Sequence, residues 1–175
     1  IKPNQGHVIA STACLGSRLD KMLLQEHEEG GGFNLGFEEV KRLQNIFGLD
    51  NLYLEIQPAK STNTDQSHVN LLMWELHKRT GVPIIPTTDS HYLSKDTAFI
   101  HKVYLQSQDG DREVDDFYAT AYLMGEDELR EYLRIDFNDK QIDKMLEWSV
   151  ELGNRVGEYN IRRNPIIPQI PEDKI

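Results

Sequence analysis

Asp89 and His91 stand two residues apart in Thr87-Thr88-Asp89-Ser90-His91-Tyr92-Leu93, directly after the apolar run Val82-Pro83-Ile84-Ile85-Pro86. Side chains two apart at a strand end point to the same side, so a carboxylate and an imidazole share one face where a buried strand stops. Such a pair suits a metal ion or acid–base chemistry; it also suits a plain hydrogen-bonded loop. Cys14 occupies a comparable place at the end of the apolar stretch that begins at His7. Glu55 is the one charge inside Leu52-Tyr53-Leu54-Glu55-Ile56. An unpaired buried carboxylate is costly, so Glu55 must be paired, metal-bound or exposed at the strand end. Thiolate, carboxylate and imidazole together are the usual ligands of zinc-like ions, although a single cysteine also packs as a small hydrophobe. No side chain is assigned a catalytic role on this pattern.

The elements that must position these residues alternate. Strands are expected at 8–13, 52–56 and 83–87, all with near-continuous apolar runs. A helix after Ser17, with Asp20 in the capping-box place, carries Leu19, Met22 and Leu23 on one face. Glu28 to Gly32 reads as a flexible joint. A second helix is expected from Phe37 to a stop at Gly48. The polar stretch from Lys60 to Gln66 reads as a loop. Val69, Leu72, Met73 and Leu76 then mark a helix that Gly81 ends and Pro83 keeps from resuming. Ser94 opens a helix carrying Ile100, Val103 and Tyr104. Buried strands separated by helices argue for a parallel α/β fold, in which ligands bind beyond the carboxyl ends of the strands. Cys14, Glu55, Asp89 and His91 all lie at or just before such ends; His101, on the helix just after the last of these, either faces them or does not, a choice the pattern leaves open.

Beyond Ser107 the pattern changes to an acidic loop at 109–116, an aromatic stretch at 117–124 and a helix through Leu129, Tyr132 and Leu133. Asn138 with Gln141 forms another capping box, opening a helix toward Glu158 with Ile142, Met145, Leu146 and Val156 facing inward. The stretch from Asn160 holds three prolines and no periodicity, and reads as an extended connector. Phe117, Tyr118 and Tyr122 read as packing residues, since no basic residues interleave with them as in a base-stacking surface. The acidic runs 26–29 and 126–128 read as solvated helix ends. His7, His27, His68 and His77 have no partner spacing and read as surface or satisfied histidines.

Of 175 residues, 38% are hydrophobic and 27% charged, a globular composition with enough apolar surface for one core. No apolar run approaches a membrane span and no signal-peptide pattern opens the chain. One cysteine makes no internal disulfide, so a reducing, cytoplasmic setting is expected. The first residue is Ile1, and the chain reads as part of something longer. Its net charge of −10, from 29 acidic residues against 19 Lys plus Arg, opposes contact with a phosphate backbone, which relies on clustered cations. There is no Gly-rich phosphate loop, Gly-x-Ser-x-Gly elbow or Cys-x-x-Cys pair, which argues against P-loop and serine-hydrolase chemistry.

Ser11-Thr12-Ala13-Cys14-Leu15, Leu52-Tyr53-Leu54-Glu55-Ile56-Gln57 and Thr88-Asp89-Ser90-His91-Tyr92-Leu93 resemble, in order and spacing, the C-terminal half of the PHP (polymerase and histidinol phosphatase) domain. The version at the front of the bacterial DNA polymerase III alpha subunit fits best, and Asp111-Arg112-Glu113-Val114 with Phe117-Tyr118 is most like phage-related members. The resemblance implies residues 1–108 as half of a distorted β/α barrel, 109–159 as a helical extension, and 160–175 as a connector toward a polymerase palm. It implies Cys14, Asp89 and His91 as ligands of a divalent cluster of Zn, Mn or Mg; Glu55 and His101 are expected behind them from their own places in the chain. The remaining ligands, including a His-x-His motif, lie outside this chain, so the ions belong to the intact longer protein. The activity implied is metal-dependent phosphoester hydrolysis of 3′–5′ exonuclease type, within a DNA-directed DNA polymerase acting in replication. The partners implied are the rest of the polymerase chain and, through it, DNA; no membrane is involved. Some relatives keep the domain without metal as a scaffold, which leaves a bracing or partner-holding module as the other reading.

Overall fold

The computed structural model describes residues 6–30, 32–109, 118–158, 160 and 162. Three strands, β1 (Ala10–Ser11), β2 (Leu52–Ile56) and β3 (Ile84–Pro86), form a parallel sheet in the order β1-β2-β3. Helices α1 (Arg18–Glu28) and α2 (Asn34–Phe47) connect β1 to β2, and α3 (Thr64–Thr80) connects β2 to β3. Helices α4 (Ala98–Asp109), α5 (Glu126–Leu133) and α6 (Asp139–Arg155) follow. The expected parallel α/β arrangement is therefore present. Leu54, Ile56, Met73, Ile84, Ile142 and Met145 are all fully buried in one core, so the sheet and the late helix α6 share it. None of the described helices is long and apolar enough to cross a membrane.

β1 is shorter than the expected 8–13. Its register pairs Ala10 with Leu52 and Ser11 with Tyr53. The backbone then turns away at Ala13 with φ 64°, and the Thr12 hydroxyl accepts the next bond, from Glu55 N at 2.9 Å. At β3 the pairing reaches both expected ends, because Leu54 N donates to Pro83 O and Thr87 N to Ile56 O, each at 2.9 Å. Pro86 has no N–H to give, and it lies on the outermost strand of the sheet, where that loss is tolerated.

Helix ends follow local chemistry in most places. Ser17 accepts from Asp20 N, Asn63 from Gln66 N, and Asn138 forms a reciprocal box with Gln141. The Asn63 cap starts α3 at Thr64, inside the stretch expected as a loop. Gly81 ends α3 in the left-handed region at φ 72°. Helix α2 starts at Asn34, three residues ahead of the expected Phe37, with no cap of its own. Its exposed N–H groups are met from another helix: Glu26, 7% exposed, accepts from Leu35 N at 2.9 Å and Gly36 N at 3.1 Å. Glu26 is thus not part of a solvated helix end. Carboxylates stabilise helix N-termini by charge as well as by hydrogen bonding. Glu26→Ala is expected to cost about 2 kcal/mol and to raise amide exchange at Leu35 and Gly36 before the rest of α2. Uniform exchange along α2 in that variant would count against the assignment.

Helix α6 ends at Arg155, so Val156 is exposed and not inward. The Arg155 guanidinium closes that end by donating to Asp50 O, to Asn51 Oδ1 at 2.5 Å and to Tyr53 Oη at 2.9 Å. His77 is satisfied by Val82 O at 2.8 Å. His68 differs from the expectation: its Nε2 is buried with no hydrogen-bond partner among the described residues, and its ring lies 3.6 Å from that of His27. The acidic loop at 110–116, Phe117 and nearly all of the 160–175 connector lie outside the described residues.

Candidate functional site

The carboxyl ends of all three strands are tied by one side chain. Glu55 accepts from Ser11 Oγ at 2.5 Å and from Thr87 Oγ1 at 2.6 Å, so β1, β2 and β3 meet on a single carboxylate. Of the alternatives open for Glu55, this is the paired one. Cys14 sits just past β1, half-buried, in a turn closed by Ser17 N donating to Cys14 O at 2.6 Å. The left-handed Ala13 before it redirects the chain toward that turn. Asp20, in the first turn of α1, is 1% exposed. Burial pushes its carboxyl up to about 7; the Ser17 hydroxyl opposes this and the nearby Glu55 adds to it. Spacing marked Asp20 as a helix-capping residue and hid this burial.

Asp89 and His91 lie past β3, and the structure brings them together: His91 Nε2 is 3.6 Å from Asp89 Oδ2, with both side chains a little over one-third exposed. Asp89 has φ 42°, a conformation that costs a non-glycine residue free energy and that concentrates at functional sites. The loop is laced to the segment 118–123. His91 N donates to Ala121 O at 2.8 Å, Leu123 N to Tyr92 O at 3.3 Å, and Tyr92 Oη to Tyr118 O at 2.7 Å. His101 on α4 faces the same place, its ring 5.2 Å from that of His91. Tyr118 meets both imidazoles edge-on, at 4.9 Å and 4.8 Å. Burial lowers the His101 pKa, and His91 lowers it further, which favours a neutral imidazole beside its neighbour. Tyr118 and the 121–123 backbone are the wall that sequence reading took for packing alone.

A lysine fastens the far end of this loop. Lys95 Nζ lies 2.5 Å from Glu128 Oε1, and over the rings of Tyr122 and Tyr132 at 5.5 Å and 5.6 Å. Tyr122 Oη donates to the same carboxylate at 2.7 Å. The Lys95 bond holds the Glu128 carboxyl below its usual range. Two cavities flank the His91–Tyr92–His101 wall. One of 260 Å³ is lined by Tyr92, Phe99, Lys102 and Tyr118; one of 480 Å³ is lined by Leu93, Ile100 and Tyr104.

Asp89 and His91 offer two donors suited to a divalent ion, whereas a protein site of the zinc class draws on three or four. Among the described residues no three His, Cys, Asp or Glu side chains are placed to hold one ion. The described residues do not by themselves fit a metal.

No family model matches the chain. It is 33% identical over 180 residues to Probable DNA polymerase YorL of Bacillus subtilis, covering 97% of this chain and 14% of that one. The identity and coverage are the same against a DNA-directed DNA polymerase of Bacillus phage SPbeta. Against the DNA polymerase III subunit alpha of Thermus aquaticus it is 26% identical over 179 residues, 95% of this chain and 14% of that one. The chain spans about a seventh of the length of these relatives, and over nearly all of its own length it is similar to one segment of DNA polymerase chains.

Proposed function

We propose that the chain is the C-terminal half of a PHP domain in a polymerase of the DNA polymerase III alpha type, acting in DNA replication. Its strand ends form part of a barrel completed elsewhere in the longer chain. Cys14, Asp89 and His91 would be donors to divalent ions only together with ligands from the rest of that chain, with Glu55 and His101 behind them, and the class of reaction is phosphoester hydrolysis at a nucleic-acid 3′ end. The observation that carries this reading is similarity over 97% of the chain to a segment of a DNA polymerase. The Asp89–His91 pair at the end of a parallel strand supports the choice of ligands.

Divalent ions held jointly with the rest of the polymerase chain would supply charge to offset that of the phosphoryl oxygens. What this chain contributes is position: Glu55 holds the three strand ends, and the bonds to residues 118–123 hold the His91 loop. Metal content of the full-length polymerase is the test. His91→Ala is expected to lose at least half of the bound metal, and Cys14→Ala less, because Asp89 and His91 come from one restrained loop. Unchanged metal in His91→Ala refutes the ligand assignment.

A second reading, a metal-free module bracing the polymerase, is favoured by one feature. Helix α4 exposes Phe99, Ile100, Val103 and Tyr104, each at 56% or more. A full-length protein that binds no divalent metal and cleaves no nucleotide ester establishes that reading instead.

A further inference from the structure

β2 runs on into Gln57, which is 8% exposed. Its backbone is gripped on both sides by one side chain: Gln57 N donates to Asn70 Oδ1 at 3.3 Å, and Asn70 Nδ2 donates to Gln57 O at 2.9 Å. Asn70 is itself held by Gln66 Nε2 at 3.0 Å and by Asp136 Oδ2 at 2.8 Å. The backbone from which the Gln57 carboxamide extends is therefore fixed. Yet the carboxamide Nε2 is buried and meets no acceptor among the described residues. A buried donor without a partner costs free energy, and here the surroundings hold the backbone in place without relieving it.

The Gln57 side chain lines a small cavity with Asn63, Thr88, Asp89 and Thr120, about 20 Å³ of it open to a water-sized group. That is room for one oxygen atom. Much of the wall is already engaged. Thr120 Oγ1 donates to Pro58 O at 2.8 Å, Thr88 Oγ1 pairs with Ser90 Oγ at 2.6 Å, and Asn63 Oδ1 accepts from Gln66 N at 3.1 Å. Gln57 and Asp89 both line this space; the Gln57 carboxamide carries the unmet donor, and the Asp89 carboxylate, acceptor-only when ionised, is its opposite. A phosphate or carbonyl oxygen would satisfy Gln57 but has no proton for Asp89, and a phosphate would add like charge.

We infer that this cavity is a subsite for a single hydroxyl oxygen, which accepts a hydrogen bond from Gln57 Nε2 and donates one to the Asp89 carboxylate. The oxygen comes either from a held water molecule or from a sugar hydroxyl presented by a nucleotide. Only the choice of nucleotide as probe rests on the polymerase reading above.

The test is nuclear magnetic resonance on the 175-residue chain, with the Gln57 side-chain amide assigned by its loss in Gln57→Leu. That variant keeps both backbone bonds to Asn70. Thymidine 5′-monophosphate and its 3′-deoxy analogue, which has no sugar hydroxyl, are titrated separately, and contacts from the Gln57 amide protons to long-lived water are recorded. A Gln57 shift with the first nucleotide, and a dissociation constant roughly tenfold higher for the second, supports the subsite and makes its occupant a sugar hydroxyl. A long-lived water contact that neither nucleotide displaces supports the subsite and makes its occupant water. In both cases Asp89→Gly, which suits the left-handed backbone there, should move the Gln57 amide signal and abolish the contact. No water contact together with no discrimination between the nucleotides overturns the inference, as does a Gln57 signal indifferent to Asp89→Gly. A metal-free polymerase whose Gln57 still holds water would sink the earlier reading and leave this one standing.

Discussion

Asp20→Asn is expected to stabilise the chain at pH 8 by on the order of 3–4 kcal/mol, and to change its stability little at pH 4. The folded carboxyl titrates at about 7 against an ordinary 3.8, because a side chain 1% exposed loses the water that would solvate its charge. A group whose pKa is raised by folding binds its proton more tightly in the folded chain. The stability it contributes is thus complete below the unfolded value and is lost as pH rises from about 4 to about 7. Asparagine removes the ionisation and keeps an oxygen for the Ser17 hydroxyl, which now donates to Asp20 Oδ1 at 3.0 Å. Denaturant melts at pH 4, 6 and 8 provide the measurement. Parallel curves for the two proteins across that range would mean that Asp20 is solvated.

Gly36→Val should destabilise the chain by about 3 kcal/mol, near the top of the range for overpacking. A β-carbon at Gly36 would stand 2.4 Å from Leu23 Cδ2 and 3.3 Å from Leu23 Cγ. Leu23 is fully buried in the core that α1 and α2 share, so it has no open space to move into. Even alanine is expected to lose stability there, since the clash outweighs a gain of about 1 kcal/mol in helix propensity. A double-mutant cycle with Leu23→Ala isolates the contact. The double variant should lose clearly less than the sum of the single losses; strict additivity would show that the new side chain does not press on Leu23.

What could be foreseen from the amino acids alone depended on how far apart the partners lie in the chain. The caps at Ser17 and Asn138 act over three residues, and both helix starts were legible. The start of α2 was not, because its cap is Glu26, nine and ten residues away from the N–H groups it satisfies. The same holds for the candidate site. The pairing of Asp89 with His91 is local, over two residues, but the left-handed backbone at Asp89, past the end of β3, shapes it and not strand alternation. Tyr118 becomes a wall only through bonds to a loop 26 residues earlier, and no periodicity marks it. Gln57 reads as an ordinary polar residue at a strand end until its burial and its Asn70 clasp are known.

The carboxylate that gathers the strand ends also has a consequence in time. Its contacts span 44 residues to Ser11 and 32 to Thr87, so neither can form until a crossover has brought its strand back beside β2. Ordering chain over such separations is paid for before the contact returns anything. These bonds are therefore expected to form in the last stage of folding, after the helices have packed. In a chevron plot, Glu55→Gln should leave the folding arm almost in place and lift the unfolding arm; a slowed folding arm would place the clasp in the nucleus. The residue that makes the strand ends one platform thus acts as a latch on the finished fold, governing how long the platform lasts more than how fast it is built.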